Sequence, residues 1–248
     1  MNRTVGVERE RFITDRCSGK IVPVIGALLL KVQETAEKIG LPRHLFSYEL
    51  FAGQIEDRTL PCDSLLELQK ALIVNDEVMK KVADEDGLVF DFSEFVEENQ
   101  ISALEVNPFD ERHQKIWQSI SPERRLAASR VAATHVHVAV TENQAVASLN
   151  ICRKEKINQL VAVGDHSQGK RICAYRTMSE TEGVPPEFSS FEELMAYIEK
   201  HGGEKNVWDL VRYKPSTMTV EFRMFGSTAD ISEVVEYAKI CLEMLNLT

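Results

Sequence analysis

The stretch "ATHVHVAV", residues 133–140, decides how the rest of the chain is read. In a β-strand, side chains two apart share a face. Val136, Val138 and Val140 then form one apolar, β-branched face. His135 and His137 lie on the other, beside Ala139. The first face suits a core and the second is left for chemistry. The same asymmetry recurs elsewhere. In "TVGVERERF", Val5 and Val7 share one face, and Glu8 and Glu10 the other. In "TMTVEFRMF", Val220, Phe222 and Met224 oppose Thr219, Glu221, Arg223 and Phe225. In "QIEDRT", Glu56 and Arg58 lie together. Glu49, seven residues before Glu56, joins them only if a bulge at Ala52-Gly53 turns the chain.

Helical patterns separate these strands. "IGALLLKVQETAEKIG" reads as a helix stopped by Gly40 and Pro42. "SLLE" at 64–67 is a capping box opening a helix to about Asp84, with Gly87 beyond and a possible strand in "GLVFDF". "PERRLAASRVAA" is a short helix before the histidine strand. Thr141 caps a helical stretch running to about Val163. Ser190 and Glu193 open another helix. Asp230 and Glu233 cap a final one, with Val234, Val235, Ala238, Cys241, Leu242 and Leu245 on its apolar side. Strands buried on both faces read as continuous apolar runs, whereas these alternate. The expectation is therefore an α+β fold: a largely antiparallel sheet, helices packed on one face, an open active-site face, and one domain over 1–248.

The totals narrow the function. The chain has 248 residues, 44% hydrophobic and 27% charged, with a formal net charge of −10. That balance argues against nucleic acid or an anionic membrane as partner. The N-terminus lacks the apolar core of a signal peptide, and "VPVIGALLL" is too short to span a bilayer. Five scattered cysteines without C-x-x-C spacing suggest neither a disulfide frame nor a zinc site, so a reducing cytoplasm is the default. A homo-oligomer is compatible with the sequence.

Gathered on one sheet face, Glu8, Glu10, Glu49, Glu56, Arg58, His135, His137, Glu221 and Arg223 form a constellation. Alternating Glu and Arg on any one strand is ordinarily a solvated face with cross-strand ion pairs. The case rests on four strands sharing the asymmetry. So many carboxylates repel one another unless a cation sits among them, and carboxylates with few histidines suit Mg²⁺ or Mn²⁺ better than zinc. Arginines among them suggest an anion, phosphate above all. "GDHSQGKR", 164–171, fits the first seven positions of the phosphate loop G-x-x-x-x-G-K-S/T. Arg171 stands where the hydroxyl belongs, and "ICAYRTMSETEG" is not read as a helix that would cradle phosphate.

An ordered set of motifs resembles the type 2 glutamate–cysteine ligase family, the carboxylate–amine ligases. "GVERERF" resembles its G-I/V-E-x-E-F/L strand, and "YELFAGQIEDRTLPCDSLLEL" its E-x(6)-E-x-x-T segment. "ATHVHVAVTENQAV" is similar to its H-V-H-V strand. "YRTMSETEGVPPEFSSFEEL" matches an arginine, G-x-P and a helix start. "VWDLVRYKPSTMTVEFRMF" resembles W-D-x-R followed by T-V-E-x-R.

The resemblance implies a glutamine synthetase and guanidino-kinase type of fold, with ATP lying on the sheet face among divalent metals. It implies Glu8, Glu10, Glu49, Glu56, His135 and Glu221 as metal ligands. Arg223 would meet the transferring phosphoryl group, helped by Arg212 or Arg176, with His137 and Arg58 near the nucleotide. A glutamate-like carboxylate would attack the γ-phosphate, and an amine would attack the acyl phosphate. The chain is shorter than typical members. Asn107, in "EVNPF", replaces the histidine of G-T-H-P-F, and Gly226 stands where many members carry Asp. Two other readings differ in class: a guanidino-kinase-like phosphotransferase, and a non-catalytic ATP- or metal-binding regulatory homologue. ADP release from several acids, with and without an amine, separates the three.

Overall fold

A computed structural model describes residues 3–246. Its sheet contains β1 (Val5–Asp15), β2 (Phe46–Tyr48), β3 (Gln54–Arg58), β4 (Leu88–Asp91), β5 (Ala133–Ala139), β6 (Val211–Lys214) and β7 (Thr219–Gly226). Its order is β2-β3-β1-β5-β7-β6, with β4 paired to the far end of β1. Every pairing is antiparallel. The strands with the clearest alternation, β1, β5 and β7, are therefore neighbours at the centre. Cross-strand register sets Glu8 opposite His135 and Arg58, Glu10 opposite Glu56, and His137 opposite Glu221.

The valine faces point the other way, into helices. The helices are α1 (Ile25–Lys38), α2 (Leu65–Asp86), α3 (Glu111–Ser119), α4 (Pro122–Ala128), α5 (Glu142–Ile151), α6 (Lys154–Gly164), α7 (Lys170–Ser179), α8 (Phe191–Lys200) and α9 (Ile231–Leu245). Val7, Val136, Val138, Val220 and Phe222 are 0–1% exposed and pack in one cluster with Val234, Ala238, Cys241 and Leu245 of α9. Burying each of the larger side chains contributes about 1.5–3 kcal/mol. A second cluster sets Ile13 and Ile55 under α1 and α2. Local chemistry fixes the helix ends. The Ser64 hydroxyl accepts from Glu67 N at 3.2 Å, and Gly87 closes α2 in the left-handed region at φ 68°.

Three details depart from the sequence reading. The 46–58 segment is a hairpin, not one strand with a bulge: Tyr48 pairs with Ile55, and Glu49 sits in its turn. The helix read from 141 to 163 is broken between Ile151 and Lys154, so that α5 and α6 pack separately. Finally, a bulge separates Thr134↔Phe225 from Val136↔Phe222, two steps on β5 against three on β7. It reverses the alternation. Phe225, expected beside Glu221, turns into the helix side and stacks on Tyr237, with centroids 4.4 Å apart. Gly164 allows this, since a Cβ there would lie 2.4 Å from Phe225 Cδ1.

The helix side of β1 and β3 also buries charge. Arg9 and Arg11 share Asp57 and Asp76 at 2.6–2.9 Å, and Asn75 Nδ2 donates to Asp57 at 2.9 Å. Arg11 lies 4.3 Å from the Phe92 ring centroid.

Candidate active site

Opposite the valine face, the sheet is the floor of a cavity of about 350 Å³ lined in part by Glu8, Glu10, Glu49, Glu56, His135 and Arg223. The face is walled, not bare. Tyr175 and Met178 of α7, Arg112 and His113 of α3, Tyr48 and Trp208 stand around it.

His135 is the pivot, because β5 lies between the two glutamate-bearing strands. Its Nδ1 is 3.6 Å from both Glu8 Oε2 and Glu221 Oε1, and its Nε2 is 3.6 Å from Glu10 Oε1. Two trios, Glu8–His135–Glu221 and Glu10–Glu56–His135, each bring one ligand atom per residue within 4.8 Å of one another. His137 Nε2 lies 3.4 Å from Glu8 Oε2.

The electrostatics divide the cluster. Burial opposes charge on Glu8, but His137, His135 and Arg58 outweigh it and hold the carboxyl well below its ordinary range. Burial likewise opposes charge on Glu221, where Arg212 and Arg223 prevail in the same direction. Elsewhere burial wins. Glu10 is pushed up to about 8, by burial and then by Glu56. Glu49 rises to about 7, by burial and then by Glu10. Glu56 goes well above its usual value, by burial and then by Glu8. Burial, then Arg223, lowers His135 to about 4, so its ring is neutral at pH 7 and free to ligate. Acids that resist ionisation beside one another, with a neutral imidazole between them, are a donor set a hard divalent cation would satisfy.

The arginines separate by position. Arg212 Nε donates to Glu221 Oε2 at 2.6 Å, and its Nη1 donates to the carbonyls of Val207 and Glu204. It grips the glutamate and the 204–207 turn. Arg223 Nη1 donates to Glu221 Oε1 at 3.0 Å while lining the cavity. Arg58 Nε donates to Glu56 at 2.5 Å and stays 39% exposed at the rim. Arg176 is not brought in: it pairs with Glu182 at 3.6 Å, its side chain 36% exposed.

The phosphate-loop lookalike is corrected in one respect. A helix, α7, does follow it. The segment before it is α6 instead of a strand, the Ser167 hydroxyl already accepts from Arg171 N at 2.8 Å, and Lys170 pairs with Glu97 at 3.0 Å. The residue this segment sends into the cavity is Arg171, 1% exposed. Sequence reasoning passed over Arg171, together with Tyr175 and Trp208. Only their adjacency to "CAYRT" and "VWDL" marked them.

A family model described as glutamate–cysteine ligase family 2 matches residues 4–156. Among curated proteins, one provisionally named glutamate–cysteine ligase 2-1 in Rubrobacter xylanophilus is 26% identical over 258 residues, covering 94% of this chain and 63% of that protein. One provisionally named glutamate–cysteine ligase 2 in Thermobifida fusca is 24% identical, covering 98% and 64%. The chain thus spans less than two thirds of the length of these relatives. Among solved structures, a glutamate–cysteine ligase from Francisella tularensis in complex with AMP superposes with TM-score 0.62 at 13% identity, over 98% of this chain and 67% of that one. A bifunctional glutathione synthetase from Pasteurella multocida superposes with TM-score 0.58 at 15% identity, over 99% and 39%. These two likenesses speak for the fold.

Proposed function

Because the chain belongs to glutamate–cysteine ligase family 2, we propose that it is an ATP-dependent carboxylate–amine ligase working with Mg²⁺ or Mn²⁺. It joins a glutamate-like carboxylic acid to an amine. The observation that carries this reading is the pair of carboxylate trios sharing His135 in a cavity that also holds Arg223. Glu8, Glu10, Glu49, Glu56, His135 and Glu221 would hold the metal. A bound divalent ion supplies charge neutralisation to the phosphate oxygens and to the carboxylates themselves.

The chain's own residues then have limited covalent work. A carboxylate oxygen of the acid attacks the γ-phosphorus of ATP, the bond to the bridging oxygen breaks, and ADP leaves. The amine nitrogen attacks the acyl carbon, the carbon–oxygen bond to phosphate breaks, and phosphate leaves with the electron pair while the nitrogen gives up one proton. Arg223 offers a planar fork to the phosphoryl oxygens. Arg212 holds Glu221 in place through its paired hydrogen bonds. His137 and Arg58 border the nucleotide, and the walls exclude water from the acyl phosphate.

The test is stabilisation by ATP. At a hundredfold excess over its dissociation constant, ATP adds about 2.7 kcal/mol with Mg²⁺ present and little in EDTA. ADP release requires the acid, and amide formation requires the amine. Equal thermal shifts in EDTA and in magnesium overturn the reading.

A further inference from the structure

Outside the carboxylate trios, one pair of buried charges stands unassigned. Arg171 reaches the cavity from α7, with Nη2 donating to the Met224 carbonyl. Beside it, and not among the residues lining the cavity, lies Glu94, whose Oε2 is 3.6 Å from Arg171 Nε. Glu94 comes from the segment after β4, and its backbone carbonyl is tied to Ala132 N at 3.0 Å. Its side chain is 10% exposed, yet neither carboxylate oxygen has a well-formed hydrogen bond, and neither does Arg171 Nε. The His166 backbone N–H is the hydrogen-bonding group that approaches this carboxylate, and its geometry is not that of a well-formed bond. The carboxylate's charged neighbours are Arg171, Asp165 and His166, and Asp165 also acts on Arg171.

The backbone at the end of β7 is shaped around it. A Cβ on Gly226 would lie 1.7 Å from Glu94 Oε2, 2.7 Å from Cδ and 2.9 Å from Cβ. No side chain fits at 226 while Glu94 keeps its place. Glu94 thus fills, from another strand's loop, the volume a residue at 226 would occupy. On the cavity side, Arg171 is a positive neighbour of Glu10 and favours the charged form of that acid. Arg171 thus has three acidic neighbours, Asp165, Glu94 and, in the cavity, Glu10.

We infer that Arg171 is a further anion-binding residue of this cavity, and that Glu94, admitted by Gly226, is the positioning residue that aims it. The inference rests on the ligase reading. The anion is an oxyanion of the reacting groups, phosphoryl or carboxylate. A buried guanidinium offers either a directed pair of N–H donors, but only while its plane is held. Glu94 holds it by a charge contact on Nε. Gly226 keeps that contact open.

The experiment moves the carboxylate. ADP release with acid and amine, the KM for ATP and for the acid, and the melting temperature are measured for wild type, Glu94→Gln, Arg171→Gln, the Glu94→Gln/Arg171→Gln double variant, Gly226→Asp, and Gly226→Asp/Glu94→Ala. Glu94→Gln, nearly isosteric, keeps its melting temperature within a few degrees and loses about tenfold in kcat/KM, as partners of functional groups do. Adding Glu94→Gln to Arg171→Gln changes nothing further, because Glu94 acts through the arginine. Gly226→Asp alone is as impaired as Glu94→Gln. Paired with Glu94→Ala, it puts a carboxylate back beside Arg171 and recovers activity to within about threefold of wild type. Wild-type activity in Glu94→Gln, or additive losses in the Gln/Gln variant, overturns the inference. Should either Gly226→Asp variant fail to fold, the Gln/Gln cycle decides alone. Absence of ATP turnover in wild type would instead strike the ligase reading.

Discussion

β1 and β3 bury charge on both faces, and the two faces are built on opposite plans. Toward the helices, Arg9 and Arg11 meet Asp57 and Asp76, two cations against two anions, with contacts of 2.6–2.9 Å. Toward the cavity, Glu8, Glu10 and Glu56 crowd around His135 with Glu49 beside Glu10 and Glu56, and burial drives three of these four carboxyls toward the neutral form. The first set is complete in itself. The second is not paired off in that way: Arg58, Arg212 and Arg223 answer some of its carboxylates, and the others stay crowded against one another. A matched network is what a strand pair needs to stay in register, whereas carboxyls held side by side against their charge are what the proposed cation site would require.

The sharpest way to break the comparison is to unbalance the matched face. Asp57→Ala leaves two buried arginines to share Asp76 alone and should cost about 3–5 kcal/mol in denaturant unfolding. Glu10→Gln, on the other face, removes a charge the fold disfavours and should leave unliganded stability unchanged or higher while abolishing the Mg²⁺-dependent gain from ATP. If both variants destabilise alike, the contrast is lost. Next in size is Arg223→Lys. The charge stays and the planar fork goes, so the fold should hold while turnover falls about a hundredfold, equivalent to about 2.7 kcal/mol. Wild-type turnover in this variant would reduce the cavity face to a polar surface.

Smaller again is the effect of pH. Glu10 at about 8 and Glu49 at about 7 sit above their ordinary 4.5, so the folded state binds more protons than the unfolded one. Stability of metal-free protein should fall as pH rises from 6.5 to 8, by about 1–2 kcal/mol. His135, lowered from its ordinary 6.5 to about 4, is already neutral in the folded state while the unfolded imidazole still sheds its proton at the start of that window, so it offsets a small part of the fall. Saturating Mg²⁺ should flatten the slope. A slope unchanged by Mg²⁺ would mean the carboxylates do not hold the ion. The smallest effect is the control: Lys170→Ala should alter ATP affinity by less than about twofold, since Lys170 pairs with Glu97 away from the cavity. A hundredfold loss would reinstate the phosphate loop.

Much of this was legible in the chain, for physical reasons that can be named. Period-two alternation placed Glu8, Glu10, Glu56, His135 and Glu221 on one face, because a strand with one buried face has no freedom of register. Caps at Ser64, Ser190 and Asp230 were readable because each satisfies amides within three residues of itself. What escaped depended on contacts far along the chain. Arg9 and Arg11 continue the face that begins with Val5 and Val7. Nothing nearby reveals that Asp76, on another element, awaits them. The bulge that turns Phe225 to the core depends on the register with β5, and Glu49 enters the cavity through a hairpin instead of a kink. Arg171 was read as a flaw in a motif, because the fold over the cavity that gives it a role has no local signature.

The strand order also sets a timetable for synthesis. Of the seven strands described, β1 is made first, and it stands in the centre of the sheet. Its neighbour β5 begins at residue 133, and β7, which completes the other side of β5, at 219. A nascent chain emerging from the ribosome carries Glu8, Glu10 and Glu56 early, acquires His135 midway and receives Glu221 and Arg223 only with the last hairpin. Long-range pairing of this kind is slow to form. The cavity therefore cannot be assembled on an unfinished chain, and an interrupted product, however well its first strands and helices have folded, lacks the last residues of the candidate site.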